Sequence, residues 1–137
     1  MAVARILLVN SSVVSRRSAA RVLEEFPDMR VCGAATDADS AIRRARGSHP
    51  DVVLLDPGLA SGDAKTAFAG LRRELPDLPI ILFGETATRG APMVLDAISH
   101  GGAGYVERPE VGAERVIRDR LVPMIREAVG LSAPAPK

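Results

Sequence analysis

An α/β domain built on a single parallel sheet is predicted by three observations. Short, wholly apolar runs recur at Ile6-Leu7-Leu8-Val9, Val52-Val53-Leu54-Leu55 and Ile80-Ile81-Leu82-Phe83, the pattern of strands covered on both faces. Between them, apolar residues repeat at helical spacing. Five strand-like runs alternate with five helical ones in this way, (βα)5. Parallel crossovers are right-handed and need helical cover, so helices belong on both faces of the sheet. The strand order expected is flavodoxin-like, 2-1-3-4-5, with a ligand crevice at the carboxyl ends of strands 1, 3 and 4.

Each element follows from local chemistry. Asn10-Ser11-Ser12 after the first run is a turn and helix-capping cluster. Ala19, Val22, Leu23 and Phe26 then form one helical face, and Pro27-Asp28 ends that helix. Arg30 to Ala35 reads as a strand containing Val31 and Cys32, with Cys32 expected as a small core residue. Asp37 to Ser40 offers caps for a second helix, whose Ala38, Ala41, Ile42 and Ala45 make a small-residue face and which Gly47 closes. Ala64, Ala67, Phe68, Leu71 and Leu75 line a third helix, and Pro76 and Pro79 bracket its exit. Gly84 to Thr88 reads as a polar loop. Pro92 suits a first helical position ahead of Val94, Leu95 and Ile98. His100-Gly101-Gly102 ends that helix, Gly104-Tyr105-Val106 is the last strand, and Arg108-Pro109 breaks it. The final helix carries Val116, Ile117, Leu121, Met124, Ile125 and Val129, and Pro123 is predicted to kink it. Residues 1–130 form one domain on this reading, and 131–137 a tail or the start of a linker.

Bulk properties narrow the function. The 137 residues fit one domain with one core, and 47% hydrophobic with 26% charged is ordinary for a soluble globular chain. A net charge of +1 argues against nucleic acid or a membrane surface as partner. No run reaches the roughly 20 apolar residues of a membrane span. The lone Cys32 and the absence of a signal-like amino terminus point to the cytoplasm.

The expected topology gathers four loops: Asn10-Ser11-Ser12, Asp56-Pro57-Gly58, Gly84-Glu85 and Glu107-Arg108-Pro109. Asp56 closes a buried strand where such sheets place their crevice, although Asp-Pro-Gly also simply starts turns. Here residues 4–129 resemble the receiver domain of two-component response regulators. Within that family they look most like the receiver preceding the catalytic domain of chemotaxis protein-glutamate methylesterases. The likeness rests on Ile6-Leu7-Leu8-Val9-Asn10-Ser11-Ser12, on Asp51-Val52-Val53-Leu54-Leu55-Asp56 and on Gly101-Gly102-Ala103-Gly104-Tyr105-Val106-Glu107-Arg108-Pro109.

The resemblance implies a role for each position. Asp56 stands at the phosphoacceptor, Arg108 at the family's lysine, Gly84 at its Ser/Thr switch and Tyr105 at its aromatic switch. Asn10, Ser11, Asp56 and Gly58 stand at the Mg²⁺ positions. Phosphoryl transfer to a carboxylate needs a cation and donors for the moving oxygens. The two acids the family places after strand 1 are Asn10 and Ser11 here, and each lost charge is worth several kcal/mol of attraction to a dication about 4 Å away. Mg²⁺ binding is expected to be weak, and no other cofactor is implied. Gly84 brings no hydroxyl, and Arg108 keeps the charge in a larger fork. Ala60 and Ala64 replace the Pro and Gly usual after the acceptor.

Two readings follow from these departures. In one the chain is a pseudo-receiver acting through protein contacts, with Asp56 paired permanently to Arg108. In the other Asp56 is phosphorylated slowly, by a histidine kinase or a small phosphodonor. Neither makes the chain an enzyme of its own, and methylesterase activity would lie in a C-terminal output domain outside it. A third reading, from another functional class, is a flavodoxin-like module holding a small anion or nucleotide at Ser11, Ser12 and Ser15. Its loop lacks phosphate-cradling glycines, and aromatics total only 3%, too few to sandwich a flavin. Arg16, Arg17, Arg21, Arg43, Arg44 and Arg46 face outward as a docking surface or a solvated face. His49 and His100 fall in turns, without ligand spacing. Association through helix 4, strand 5 and helix 5 would give a homodimer, and the sequence leaves that open.

Overall fold

The computed structural model describes residues 2–59, 63–85 and 92–131. Five parallel strands, β1 (Ala4–Val9), β2 (Met29–Ala35), β3 (Val52–Leu55), β4 (Ile80–Glu85) and β5 (Gly104–Arg108), lie in the order β2-β1-β3-β4-β5. That is the order expected. Ile6 pairs with Val52, Val53 with Ile80 and Ile81 with Gly104, so the apolar runs stack side by side in register.

Alternate strand residues serve opposite faces. Leu7, Val9, Val53, Leu55, Ile80 and Leu82 pack against α2 (Ala38–Ser48), α3 (Asp63–Glu74) and α4 (Pro92–Ser99). Ile6, Leu8, Val52, Leu54, Ile81 and Phe83 pack against α1 (Val13–Leu23) and the carboxyl-terminal helices. Every residue of β3 is buried. Each such Leu or Val contributes about 1.5–3 kcal/mol of transfer free energy, which explains why β3, buried throughout, admits no polar residue.

Several details differ from expectation, each for a local reason. Cys32 is half-buried and lies at a bulge: Ile6 pairs with Val31 and Leu7 with Gly33, so Cys32 is the residue left over. Its Sγ donates to the Ile6 carbonyl at 3.4 Å. α1 ends at Leu23, and Phe26 packs from the following turn rather than from the helix. In α2 the capping box of Asp37 and Ser40 is present, but Gly47 lies within the helix. His49 takes the left-handed cap with φ 49°, the one non-glycine residue at positive φ among the described residues.

β4 continues through Gly84 and Glu85, which pair with Glu107 and Arg108, so the polar loop begins later than expected. Positions 86–88 of that loop lie outside the described residues, as do Ala60 and the tail from Ser132. α4 starts at Pro92 as expected, and Val94 and Ala97 face the core, while Leu95 and Ile98 are exposed. The final helix is interrupted as Pro123 demands. α5 (Ala113–Val116) passes into a π-helical segment (Ile117–Leu121) before α6 (Val122–Val129). The wider turn leaves room where the proline ring would strike the carbonyl of the preceding turn. Leu121 and Val122, neighbours in sequence, are both fully buried as a result. Among the described residues no helix is long and apolar enough to cross a membrane.

Candidate functional site

Asp56 follows directly on β3, at the carboxyl edge of the sheet, and is 8% exposed. Its backbone N–H donates to the Val9 carbonyl at 2.9 Å, which fastens the acceptor loop to the end of β1. One carboxylate oxygen accepts from the Gly58 N–H at 2.8 Å, an Asx turn that the Asp-Pro-Gly sequence favours. The other lies 3.9 Å from Nη2 of Arg108. A buried carboxylate is tolerated when paired and hydrogen-bonded, and Asp56 has one partner of each kind.

Arg108 ends β5, and its guanidinium crosses the top of the sheet. The same Nη2 lies 3.7 Å from Glu85, its register partner on β4. The guanidinium also sits over the Phe83 ring at 5.6 Å, a cation–π contact that holds it flat against the strand ends. Both Arg108 and Asp56 side chains are only about a tenth exposed (12% and 11%), so solvent screens this pair less than a surface bridge. Nη1 of Arg108 is buried without a hydrogen-bond partner among the described residues.

The β1–α1 loop supplies the other side of the site. Asn10 is buried, and its Oδ1 accepts from the Ser12 N–H at 2.7 Å. Its backbone carbonyl accepts from Nη1 of Arg16 at 2.6 Å. Ser12 caps α1 by accepting from the Ser15 N–H at 3.2 Å. Two of the donors that an anion there would use, the Ser12 and Ser15 N–H groups, are thus engaged within the chain. Ser11 points to solvent.

Gly84 is buried and meets β5 through its backbone: its carbonyl accepts from the Tyr105 hydroxyl at 3.1 Å. That hydroxyl also lies 2.9 Å from the Glu85 carbonyl. The half-buried Tyr105 ring is therefore fastened to the end of β4 by backbone acceptors, with no switch hydroxyl at position 84.

The structure brings Asn10, Asp56, Gly58 and Arg108 together at one edge, with Gly84 and Tyr105 beside them and Ser11 exposed next to Asn10. For a hard divalent cation the donor set is poor. Of the family's positions, only Asp56 offers a charged oxygen, and the Asn10 amide oxygen is already in use. Among the described residues no group of three His, Cys, Asp or Glu side chains is placed to hold a metal ion.

Sequence reasoning placed Glu85 in a loop beside Arg108 but missed Phe83 as a neighbour of Arg108, and Arg16 as a donor to the Asn10 carbonyl. The β4–β5 register would have found Phe83, since Glu85 pairs with Arg108 and Phe83 lies two residues before it on the same face of the strand. Arg16 looked like one more outward arginine. Of that set, Arg21 pairs with Glu114 at 3.3 Å and Arg46 pairs with Glu74, while Arg17, Arg43 and Arg44 are exposed.

Known proteins match this chain along most of its length. Residues 6–120 match the family described as the response regulator receiver domain. A protein-glutamate methylesterase/protein-glutamine glutaminase of Maricaulis maris is 31% identical over 124 residues, which is 88% of this chain and 31% of that protein. One from Anaeromyxobacter dehalogenans is 33% identical over 118 residues, 86% of this chain and 32% of that protein. The chain thus spans about a third of the length of such relatives. Among solved structures, the response regulator domain of Thermotoga maritima CheB superposes with a TM-score of 0.83 at 24% identity, covering 96% of this chain and 99% of that one. A LuxR-family two-component response regulator from Aurantimonas gives 0.78 at 28%, covering 98% and 91%.

Proposed function

Since this chain belongs to the response regulator receiver domain family, we propose that within two-component signalling it works as an atypical receiver. On this reading it is read out through protein contacts and does not depend on Mg²⁺-assisted phosphorylation of Asp56. The observation that carries the reading is the state of the acceptor carboxylate. Asp56 is already neutralised by Arg108 at 3.9 Å, on a site edge where the neighbouring positions are an engaged amide and an outward serine. A phosphoryl donor would have to displace that pair and find its own cation, and charge of that kind is the main catalytic contribution to phosphoryl transfer.

The chemistry left to the site is binding and positioning. Asp56 holds the acceptor loop through Gly58, Arg108 joins the ends of β3, β4 and β5, and Tyr105 holds β4 against β5. The natural partners are a histidine kinase or another signalling protein, and an output domain of the kind that the methylesterase relatives carry. Any methylesterase activity would belong to such a domain. The cytoplasm is the compartment this reading implies.

Incubation with acetyl phosphate, or with beryllofluoride, in the presence of Mg²⁺ tests it, read by intact mass and by amide NMR. The expected result is no stoichiometric adduct. An adduct at Asp56, with shifts spreading to Tyr105, would replace this reading with that of a slow but working phosphoacceptor.

A further inference from the structure

We infer that Arg72 is a latch on α4: its guanidinium holds the carboxyl end of that helix down, and its release lets α4 open as a unit while the rest of the domain stays folded. The latch lies at the amino edge of the sheet, just ahead of β4 and β5, whereas Asp56 lies at the carboxyl edge. The inference therefore goes beyond the reading above and holds whether or not Asp56 accepts a phosphoryl group.

Burial holds α4 lightly. Its eight residues bury only Val94 and Ala97, whereas the twelve of α3 bury Ala64, Ala67, Phe68, Gly70 and Leu71. Leu95 and Ile98 face outward. Ordering a helix costs conformational entropy at every residue, and segments with few buried apolar contacts open locally at low free energy. The last turn of α4 also carries no basic residue of its own to meet the negative end of the helix dipole.

Arg72, on the last turn of α3, supplies that charge. Its Nη2 donates to the Gly101 carbonyl at 2.9 Å, in the turn that leaves α4. Its Nη1 donates to the carbonyls of Pro76 at 2.8 Å and Leu78 at 3.0 Å, in the loop that leaves α3. One guanidinium thus bolts the exit of α4 to the exit of α3, with the Phe68 ring 5.4 Å beneath it. Hydrogen bonds from a charged donor are strong, and a rigid planar fork makes and loses them together.

The latch is incompletely satisfied, and that makes it releasable. Nε of Arg72 is buried without a hydrogen-bond partner among the described residues. A buried donor left in this state costs free energy, which it recovers on reaching water. The closed form bears that cost and the open form does not, so the two lie nearer in free energy than three charged hydrogen bonds alone would place them. Opening uncovers Val94 and Ala97 beside Leu95 and Ile98, an apolar surface that contact with a protein partner can select.

The test is native-state amide hydrogen exchange of the 137-residue chain, followed by NMR at a series of low urea concentrations. The unaltered protein, Arg72→Met and Arg72→Lys are compared, and urea melts report the global stability of each. In the unaltered chain the amides of Asp96 to Ser99 are expected to exchange through an opening that depends little on urea, while those of β1 and β3 exchange through global unfolding. In Arg72→Met the α4 amides should exchange about ten-fold or more faster, beyond any change in β1 and β3. Arg72→Lys keeps the charge without the fork and should fall between the two. Exchange of the α4 amides only through global unfolding of the unaltered chain would overturn the separate opening. Equal acceleration in α4, β1 and β3, or none in α4, would overturn the latch. Should Arg72→Met not fold, Arg72→Lys carries the same comparison.

Discussion

Arg126 grips Asp28 across 98 residues of sequence, Nε to Oδ2 at 2.8 Å and Nη2 to Oδ1 at 3.1 Å. The pair is largely buried, with the guanidinium also lying over Phe26 at 5.5 Å, and it ties α6 to the turn that enters β2. Bidentate pairing of this kind is worth more than a surface bridge because both ends are preorganised and poorly solvated. Arg126→Ala should cost about 3 kcal/mol of folding stability at neutral pH, measured by urea denaturation.

That pair also sets a pH dependence. The hydrogen bonds from Arg126 hold the Asp28 carboxyl below its ordinary range, against the opposing effect of burial. A carboxyl whose folded pKa is depressed contributes stability that is present above its unfolded pKa and is lost as pH falls through the folded one. The gap between the unaltered chain and Arg126→Ala should therefore be full at pH 7 and shrink below about pH 4. A constant gap across that range would show that the loss is packing against Phe26 instead.

Arg108→Ala removes the counter-charge of Asp56 and the contact with Phe83 together. A loss of about 1–3 kcal/mol is expected, since a mostly buried carboxylate is left with one backbone donor. Arg108→Lys should recover part of it, because the charge returns without the planar fork. Chemical denaturation of the three proteins checks both statements.

Tyr105→Phe deletes the hydroxyl held between the carbonyls of Gly84 and Glu85 and leaves the ring in place. About 1 kcal/mol should be lost. Faster amide exchange confined to the end of β4 would place that loss where the geometry does.

At Gly70 two effects oppose each other. Alanine there favours the helix by up to about 1 kcal/mol. Its Cβ would, however, run into Cδ1 of Ile42, across the α2–α3 contact. Gly70→Ala should gain little alone and stabilise more in an Ile42→Val background. A double-mutant cycle with no coupling would refute the clash.

The fold was legible because its strands are apolar on both faces and its caps carry their usual residues. Val52 to Leu55 suited a central strand, and Asp37 with Ser40 marked the start of α2. Features that depend on one residue more or less were not legible. Cys32 is left over only because the pairing of β1 with β2 slips there, and His49 caps α2 because the helix runs one turn position past Gly47. Leu95 and Ile98 carry helical spacing, yet they lie one position round the helix from Val94 and Ala97, which take the core face. At the site, the residues after each strand could be named from topology. Arg16 could not, because a side chain that folds back on its own loop looks the same in sequence as one that faces water.

The π segment ahead of Pro123 has a consequence for insertions and deletions. One residue among 118–120 is surplus to an α-helix, and the widened turn that it creates is what accommodates the proline ring. Deleting Asp119 alone would press that ring onto the backbone, and Pro123→Ala alone would leave a redundant residue coiled in the turn. Made together, the two changes would yield a continuous helix that still aims Ile117, Leu121 and Ile125 at the sheet. Surplus residue and proline thus act as one structural unit, tolerable to lose as a pair and harmful to lose singly.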